Sequence, residues 1–225
     1  MLSEMFYKLW DNGLIQLAVW ETIYMTGLAT IFSYLFGLPL GVLLTVTGEN
    51  GIRPIRWLNR VLGIIVNFFR SIPFVILMVA MLPVAKLIVG TSLGNKAMIV
   101  MLIIAATPYV ARMVESSIKE VDAGVLEAAQ SMGASNMQII CKVLIPEAKP
   151  SLITGAVIST VTILSYSAMA ATIGGTGLGQ VAIIYGHQRS NADITWICVF
   201  LTVIIVQIIQ EVGNAIARRT DKRIK

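Results

Sequence analysis

Glu127, Ala128 and Ala129 stand in a row, Gly133 follows four residues later, and Pro146 comes thirteen residues after Gly133. Nothing here pairs a nucleophile with a base. A single carboxylate beside two methyl side chains has instead the chemistry of a docking knob: the small residues let another backbone approach closely, and Glu127 offers one directed polar contact. The same segment, residues 125–132, also reads as a plain amphipathic connector, and both readings stand at this point. It lies within residues 112–149, 38 positions carrying nine charges between long runs that carry almost none.

Other reactive groups are sparse. No glycine precedes a lysine, so there is no phosphate-binding Gly-x4-Gly-Lys-Ser/Thr loop, and neither His-Glu-x-x-His nor Gly-x-Ser-x-Gly occurs. A proton-coupled carrier places Asp, Glu or His inside its spans. Residues 22–48, 61–85, 97–111, 150–188 and 194–210 hold no Asp or Glu, and the single histidine, His187, reads as either an interfacial residue or a proton relay. Energy for transport would therefore come from a partner. Ser165, Tyr166, Ser167 and Met169 combine hydroxyls with a thioether, which suits a passage for a small, partly apolar zwitterion or simple helix packing. Gly174, Gly175, Gly177 and Gly179 miss the Gly-x-Gly-x-x-Gly spacing and read as a bend at an outer mouth. Arg70, inside an apolar run, is interfacial or part of an ion pair, with a substrate role third.

The elements that must position these residues are membrane helices. Apolar residues make up 56% of the 225-residue chain, charged ones 13%, and the mean hydropathy is +0.81, beyond what a soluble domain can bury. A span needs about 20 apolar residues. The runs give five, near 22–47, 61–85, 95–114, 150–172 and 192–212. Residues 150–188 as one helix would reach about 58 Å against a hydrocarbon core of about 30 Å, so the glycines from 174 on mark its end. The expected organisation is an all-α, polytopic membrane domain: an extracytoplasmic segment 1–20, a transmembrane domain 21–213 with a cytoplasmic loop 115–149, and a basic tail 214–225. The start has no basic, cleavable leader and reads as mature structure, with Leu2, Met5, Phe6, Leu9 and Trp10 on one face of a short interfacial helix ending at Asn12-Gly13.

Lys and Arg set the orientation. One side collects Lys8, Lys86, Lys96 and Arg189, giving four; the other collects Arg53, Arg56, Arg60, Arg112, Lys119, Lys142, Lys149 and five in the tail from Arg218 to Lys225, giving twelve. The amino terminus is expected outside and the tail in the cytoplasm. The net charge of +5 is this topology signal, too dispersed for nucleic acid. Cys141 and Cys198 read as inert packing residues.

Within the loop, Val114, Ile118 and Val121, then Val125, Ala129 and Met132, then Met137, Ile140, Cys141 and Leu144 recur at helical spacing, predicting three short helices. Asp122 is placed to cap the second, Gly133 to end it in a left-handed conformation, and Ser135 with Gln138 to form a capping box for the third. Pro146 and Pro150 are expected to stop that helix and turn the chain back to the membrane.

The Glu-Ala-Ala-x3-Gly-x9-Ile-x-Leu-Pro pattern, with Val143 and Ile145 in the Ile and Leu places, resembles the signature of bacterial ABC importer permeases. Residues 68–74 (Phe-Phe-Arg-Ser-Ile-Pro-Phe), 106–115 (Ala-Thr-Pro-Tyr-Val-Ala-Arg-Met-Val-Glu), 166–169 and 177–180 look like the methionine branch of that family, although Ala170-Ala171 replaces frequent glycines. The resemblance implies a type I ABC importer permease core in the inner membrane, working as a homodimer with two cytoplasmic ATPase subunits and an extracytoplasmic methionine-binding lipoprotein. It makes Glu127, Ala128, Ala129, Gly133, Val143, Ile145 and Pro146 the ATPase-coupling residues. No cofactor or catalytic residue is expected on this chain; ATP and magnesium belong to the partner. Import of another small solute and a passive channel or scaffold are the rival readings.

Overall fold

The computed structural model describes the backbone of residues 4–221 and side chains from Tyr7 onward. Leu2 and the side chains of Met5 and Phe6, and the tail residues Lys222, Arg223 and Lys225, lie outside the described part. Every regular element in that part is helical: α1 (Glu4–Asp11), α2 (Leu14–Thr47), α3 (Arg56–Ser71), α4 (Phe74–Ala80), α5 (Leu82–Val89), α6 (Gly94–Lys119), α7 (Ala123–Ser131), α8 (Asn136–Ile139), α9 (Ile145–Ser167), α10 (Leu178–Gln180) and α11 (Ala192–Thr220).

Among the described residues four helices are long and apolar enough to cross a membrane: α2, α6, the continuous Asn136–Ile173 and α11. The span expected over 61–85 is broken. α3 stops where Ile72 turns extended (φ −86°, ψ 126°), α4 starts after Pro73, and the two helices bend by 103°. Proline lacks an N–H and its ring drives the preceding residue out of the helical region, so α3 and α4 form a fifth span only as a bent pair.

Pro146 and Pro150 do not stop their helix, contrary to the sequence expectation. Residues Ile140–Leu144 form a π-helical segment that joins α8 to α9, and α9 runs through both prolines. The wider π turn relieves the clash of the Pro146 ring with the carbonyl of the preceding turn; Pro150 lies inside α9, beyond that segment. Residues 150–188 divide as their length demands: α9 ends at Ser167, a 3-10 segment Ala168–Ile173 follows, and left-handed Gly174 closes it before α10 and a second π segment, Val181–Gln188.

The chain forms two compact units. The first comprises residues through Phe32, Pro73–Ala105 and Thr160–Ile209; the second comprises Ser33–Ile72, Ala106–Ser159 and residues from Gln210. In the first, Leu9 of α1 is buried with Ile15, Ala18, Leu178, Val181, Ile194 and Cys198, so α1 is packed against its neighbours through Leu9 while Tyr7 and Trp10 stay exposed. In the second, Val114 and Ile118 of α6 share a core with Ala129, Ile139, Leu144 and Ala148, and a smaller cluster joins Leu44, Val66 and Ala111. Hydroxyls stitch α9 into this unit, Ser151 to Ser117 at 3.1 Å and Tyr34 to Ser159 at 3.4 Å. Cys198 packs as expected, but Cys141 is exposed, its thiol 3.7 Å from Met137 Sδ.

α2 and α6 meet through small residues. A methyl group at Gly37 would come within 2.7 Å of Val110, and one at Gly41 within 2.5 Å of the Ala111 carbonyl oxygen. Backbone cannot yield as a side-chain tip does, so Gly41→Val is expected to destabilise the protein by about 1–3 kcal/mol. Gly27→Val, on the same helix with nothing within 4 Å of the added methyl, serves as the control. Thermal unfolding in detergent should separate the two variants; equal midpoints would contradict the close α2–α6 contact.

Candidate functional site

The loop residues fold into a short, well-capped helix on a buried seat. Asp122 caps α7 by accepting a hydrogen bond from Gly124 N at 2.7 Å. At the other end Gly133 is left-handed (φ +73°), with its N–H donating to Gln130 O at 2.9 Å and the Ala134 N–H to Ala129 O at 3.2 Å. Left-handed backbone is costly for a residue with a Cβ, which explains the glycine. Ser135 and Gln138 form the complete capping box that opens α8.

Exposure divides the Glu-Ala-Ala triplet. Glu127 and Ala128 face outward, whereas Ala129 is 4% exposed and sits among Ile118, Ile139, Leu144 and Ala148. The sequence placed both alanines at the tip and Val125, Ala129 and Met132 on one face; only Ala129 of those three points inward, with half-buried Leu126 beside it. Val125, Met132 and Met137 are exposed, Met132 at 81%. The third predicted face is likewise corrected: Ile139 and Leu144 are buried while Met137 and Cys141 are not, because the π segment shifts the helical period. Of the remaining signature positions, Val143 and Ile145 are half-buried and Pro146 is exposed.

An ion cluster, unnoticed in the sequence, braces the end of α6 that leads into α7. Glu115, 7% exposed, accepts from Arg112 at 2.5 Å and from Lys119 at 2.7 Å. Arg112 also reaches α3, donating to Asn67 Oδ1 at 2.9 Å and Gly63 O at 3.4 Å. The i, i+3 and i, i+4 spacing of Arg112, Glu115 and Lys119 was the available signal. Arg70 is exposed in the last turn of α3 and joins neither ion pair found among the described residues.

The residues proposed for a passage lie in the other unit. Ser165 is exposed and donates to Val161 O at 3.0 Å. Tyr166 stacks on Phe74, ring centroids 4.6 Å apart and planes within 3°. Met169 is half-buried, and Ser167 is 3% exposed with its hydroxyl on Leu164 O, so Ser167 packs and does not present its oxygen. The glycine loop after them is tightly held. Thr176 N donates to Asn95 Oδ1 at 2.7 Å, Asn95 Nδ2 donates to Thr176 Oγ1 at 2.6 Å, and Leu178 N donates to Thr22 Oγ1 at 2.9 Å. Gly174 and Gly177 adopt positive φ, Gly175 is buried, and Gly179 packs against Ala168 with no room for a side chain. His187 is exposed, and the Arg189 guanidinium lies 4.6 Å over the Tyr185 ring.

Residues 37–225 match the model of the family described as binding-protein-dependent transport system inner membrane component. The chain is 50% identical over 213 residues to a probable D-methionine transport system permease protein of Vibrio cholerae, covering 95% of each. It is 43% identical to a methionine import system permease protein of Bacillus subtilis, covering 92% of this chain and 93% of that one. Among solved structures, an inward-facing MetNI methionine ABC transporter in its native crystal form superposes with a TM-score of 0.92 at 44% identity, over 98% of this chain and all of that one. An amino acid ABC transporter with histidines, 21% identical, shares the fold at a TM-score of 0.78.

Removing the carboxylate of Glu115 leaves the half-buried Arg112 without its counter-charge. Glu115→Ala is therefore expected to cost about 2–3 kcal/mol. Lys119→Ala should cost about 1 kcal/mol or less, because that side chain is 60% exposed. Thermal unfolding of the two variants gives the ranking, and equal losses would argue against Glu115 as the brace between α3 and α6.

Proposed function

Since the chain belongs to the family of binding-protein-dependent transport system inner membrane components, we propose that it is the membrane-spanning permease subunit of an ATP-driven importer whose cargo is methionine, in the D or L form. The observation that carries the coupling is the division of α7: Glu127 and Ala128 exposed, Ala129 seated in the core. Exposed Val125, Met132 and Met137 surround that outward face, and an apolar patch with one directed carboxylate suits a protein groove. A separate ATPase subunit takes this face, binds ATP and magnesium, and delivers its motion through Ala129 to Ile139 and Leu144 and so into α9. The methionine assignment draws on relatives and a solved transporter named for that cargo.

Two copies of the chain, two ATPase subunits and an extracytoplasmic methionine-binding lipoprotein complete the assembly in this reading. The amino terminus lies outside and the tail in the cytoplasm, following the asymmetry of Lys and Arg. Ser165, Tyr166 and Met169 line the passage and Ser167 supports them, while the loop of Gly174, Gly175, Gly177 and Gly179 stands at the outer mouth. Rocking of the two permease copies alternates access.

Labelled methionine should enter cells that carry this subunit and fail to enter cells lacking it, with other methionine carriers removed; unchanged uptake with loss of a different solute would overturn the cargo and leave the importer class. A reporter cysteine replacing Ser131 should react only from the cytoplasm and one replacing Ser92 only from outside, and the reverse pattern would overturn the orientation. Coupling makes its own demand. Ala128→Trp and Gly133→Val should leave the protein inserted but abolish uptake, the second because left-handed backbone costs a β-branched residue about 1–2 kcal/mol or more. Normal uptake and cargo-stimulated ATP hydrolysis in both variants would remove this face from the mechanism.

A further inference from the structure

Thr176, between the two glycines that need unusual backbone, is held at two points by one side chain. The Asn95 carboxamide accepts from Thr176 N at 2.7 Å and donates to Thr176 Oγ1 at 2.6 Å. Of the short side chains, only a carboxamide offers an acceptor and a donor side by side in this way. Two residues on, the Leu178 N–H goes to Thr22 Oγ1, whose own proton goes to Ala18 O at 2.9 Å. The loop is thus tied to the start of α6 by Asn95 and to α2 by Thr22.

Packing closes the remaining freedom. A methyl group at Gly175 would lie 2.9 Å from Ala170 and 3.0 Å from Asn95 Oδ1, and one at Gly177 would lie 2.9 Å from Thr22 Oγ1. Thr22 is 5% and Leu178 2% exposed, so breaking the bond between them would strand a buried N–H where water cannot replace the partner; Thr176 is half-buried. A loop that swung open would leave both amides unpaired at once.

We propose that Asn95 is the positioning residue of this loop and that the loop is a stationary wall: bound by Asn95 and Thr22, it moves with α2 and α6 as one body through the transport cycle and is not the gate. The inference rests on the transport reading above. Asn95→Ala should lower uptake per ATP hydrolysed by about fivefold or more, the scale set by one or two lost hydrogen bonds. Asn95→Asp, which keeps the acceptor for Thr176 N and loses the donor, should fall between Asn95→Ala and the parent; a merely structural loss would lower uptake and hydrolysis together and leave their ratio unchanged.

The decisive experiment uses the assembled transporter in vesicles, with Cys141 and Cys198 replaced by serine and alanine and the pair Asn95→Cys, Thr176→Cys introduced. Oxidation, or a short thiol-specific bridging reagent, should cross-link the pair with and without ATP, and the cross-linked protein, whose bridge replaces the tie made by Asn95, should take up labelled methionine at least as fast as the same protein after reduction. Uptake that stops on cross-linking and returns on reduction would make the loop a moving gate and overturn the proposal, as would failure to cross-link in every nucleotide state. A parent chain that takes up no methionine would sink the methionine reading, whereas the cross-link yield on the same protein still decides the contact.

Discussion

Backbone N–H and C=O groups have no water to turn to in a bilayer, so each interruption of a helix must be repaired from within the protein. In this chain the interruptions fall where function is proposed, and the repairs are made by side chains. Asn95 and Thr22 take the amides freed around Gly177, and the same device recurs in the exposed loop, where water is at hand, with Asp122 and Ser135 capping its two short helices. Where no side chain is supplied, the helix bends without a cap, as at Ile72, whose N–H falls back on Phe69 O at 3.4 Å. The architecture follows from where such repairs are possible.

The second unit shows how a short surface helix is held in place. α7 has nine residues, too few to be stable alone. It gains its order from both caps and from Ala129 and Leu126, which bring it onto a core shared with α6, α8 and α9. Glu115 then ties the end of α6 to α3 through Arg112. Side chains of one core thus join the helix that carries Glu127 and Ala128 to α9.

The features legible in the sequence were the local ones. Asp122, Gly133 and the Ser135–Gln138 box act within three residues of themselves, and the sequence carries that information whole. The spacing of Gly37 and Gly41, one turn apart, is local too and is of the kind that marks a close approach in a span, but their partners Val110 and Ala111 are not written beside it. What the sequence hid was of two kinds. Contacts between distant positions, such as Asn95 with Thr176, 81 residues apart, leave no periodic trace. Departures from the α period hide more subtly: the third loop helix was assigned the wrong inward face because a spacing of three and four was assumed where Ile139 and Leu144 stand five apart. The break at Pro73 belongs between these, since the proline was visible but the size of the bend was not.

That five-residue step has a consequence for comparing chain lengths. Ile139, Leu144 and Ala148 all enter one core, at intervals of five and then four. The π segment holds one residue more than an α-helix would need to bring the same two faces inward, an extra turn of about 100° absorbed without rotating α9. The interval from Gly133 to Pro146 therefore contains a residue that is spent on phase and not on distance. A homologous chain shorter by one residue between 140 and 144 could keep the seat of α7 unchanged by winding that stretch as an ordinary α-helix. The same deletion inside α9 would turn its inward stripe away from α6, so a single gap is silent in one stretch of a continuous helix and ruinous a few residues later.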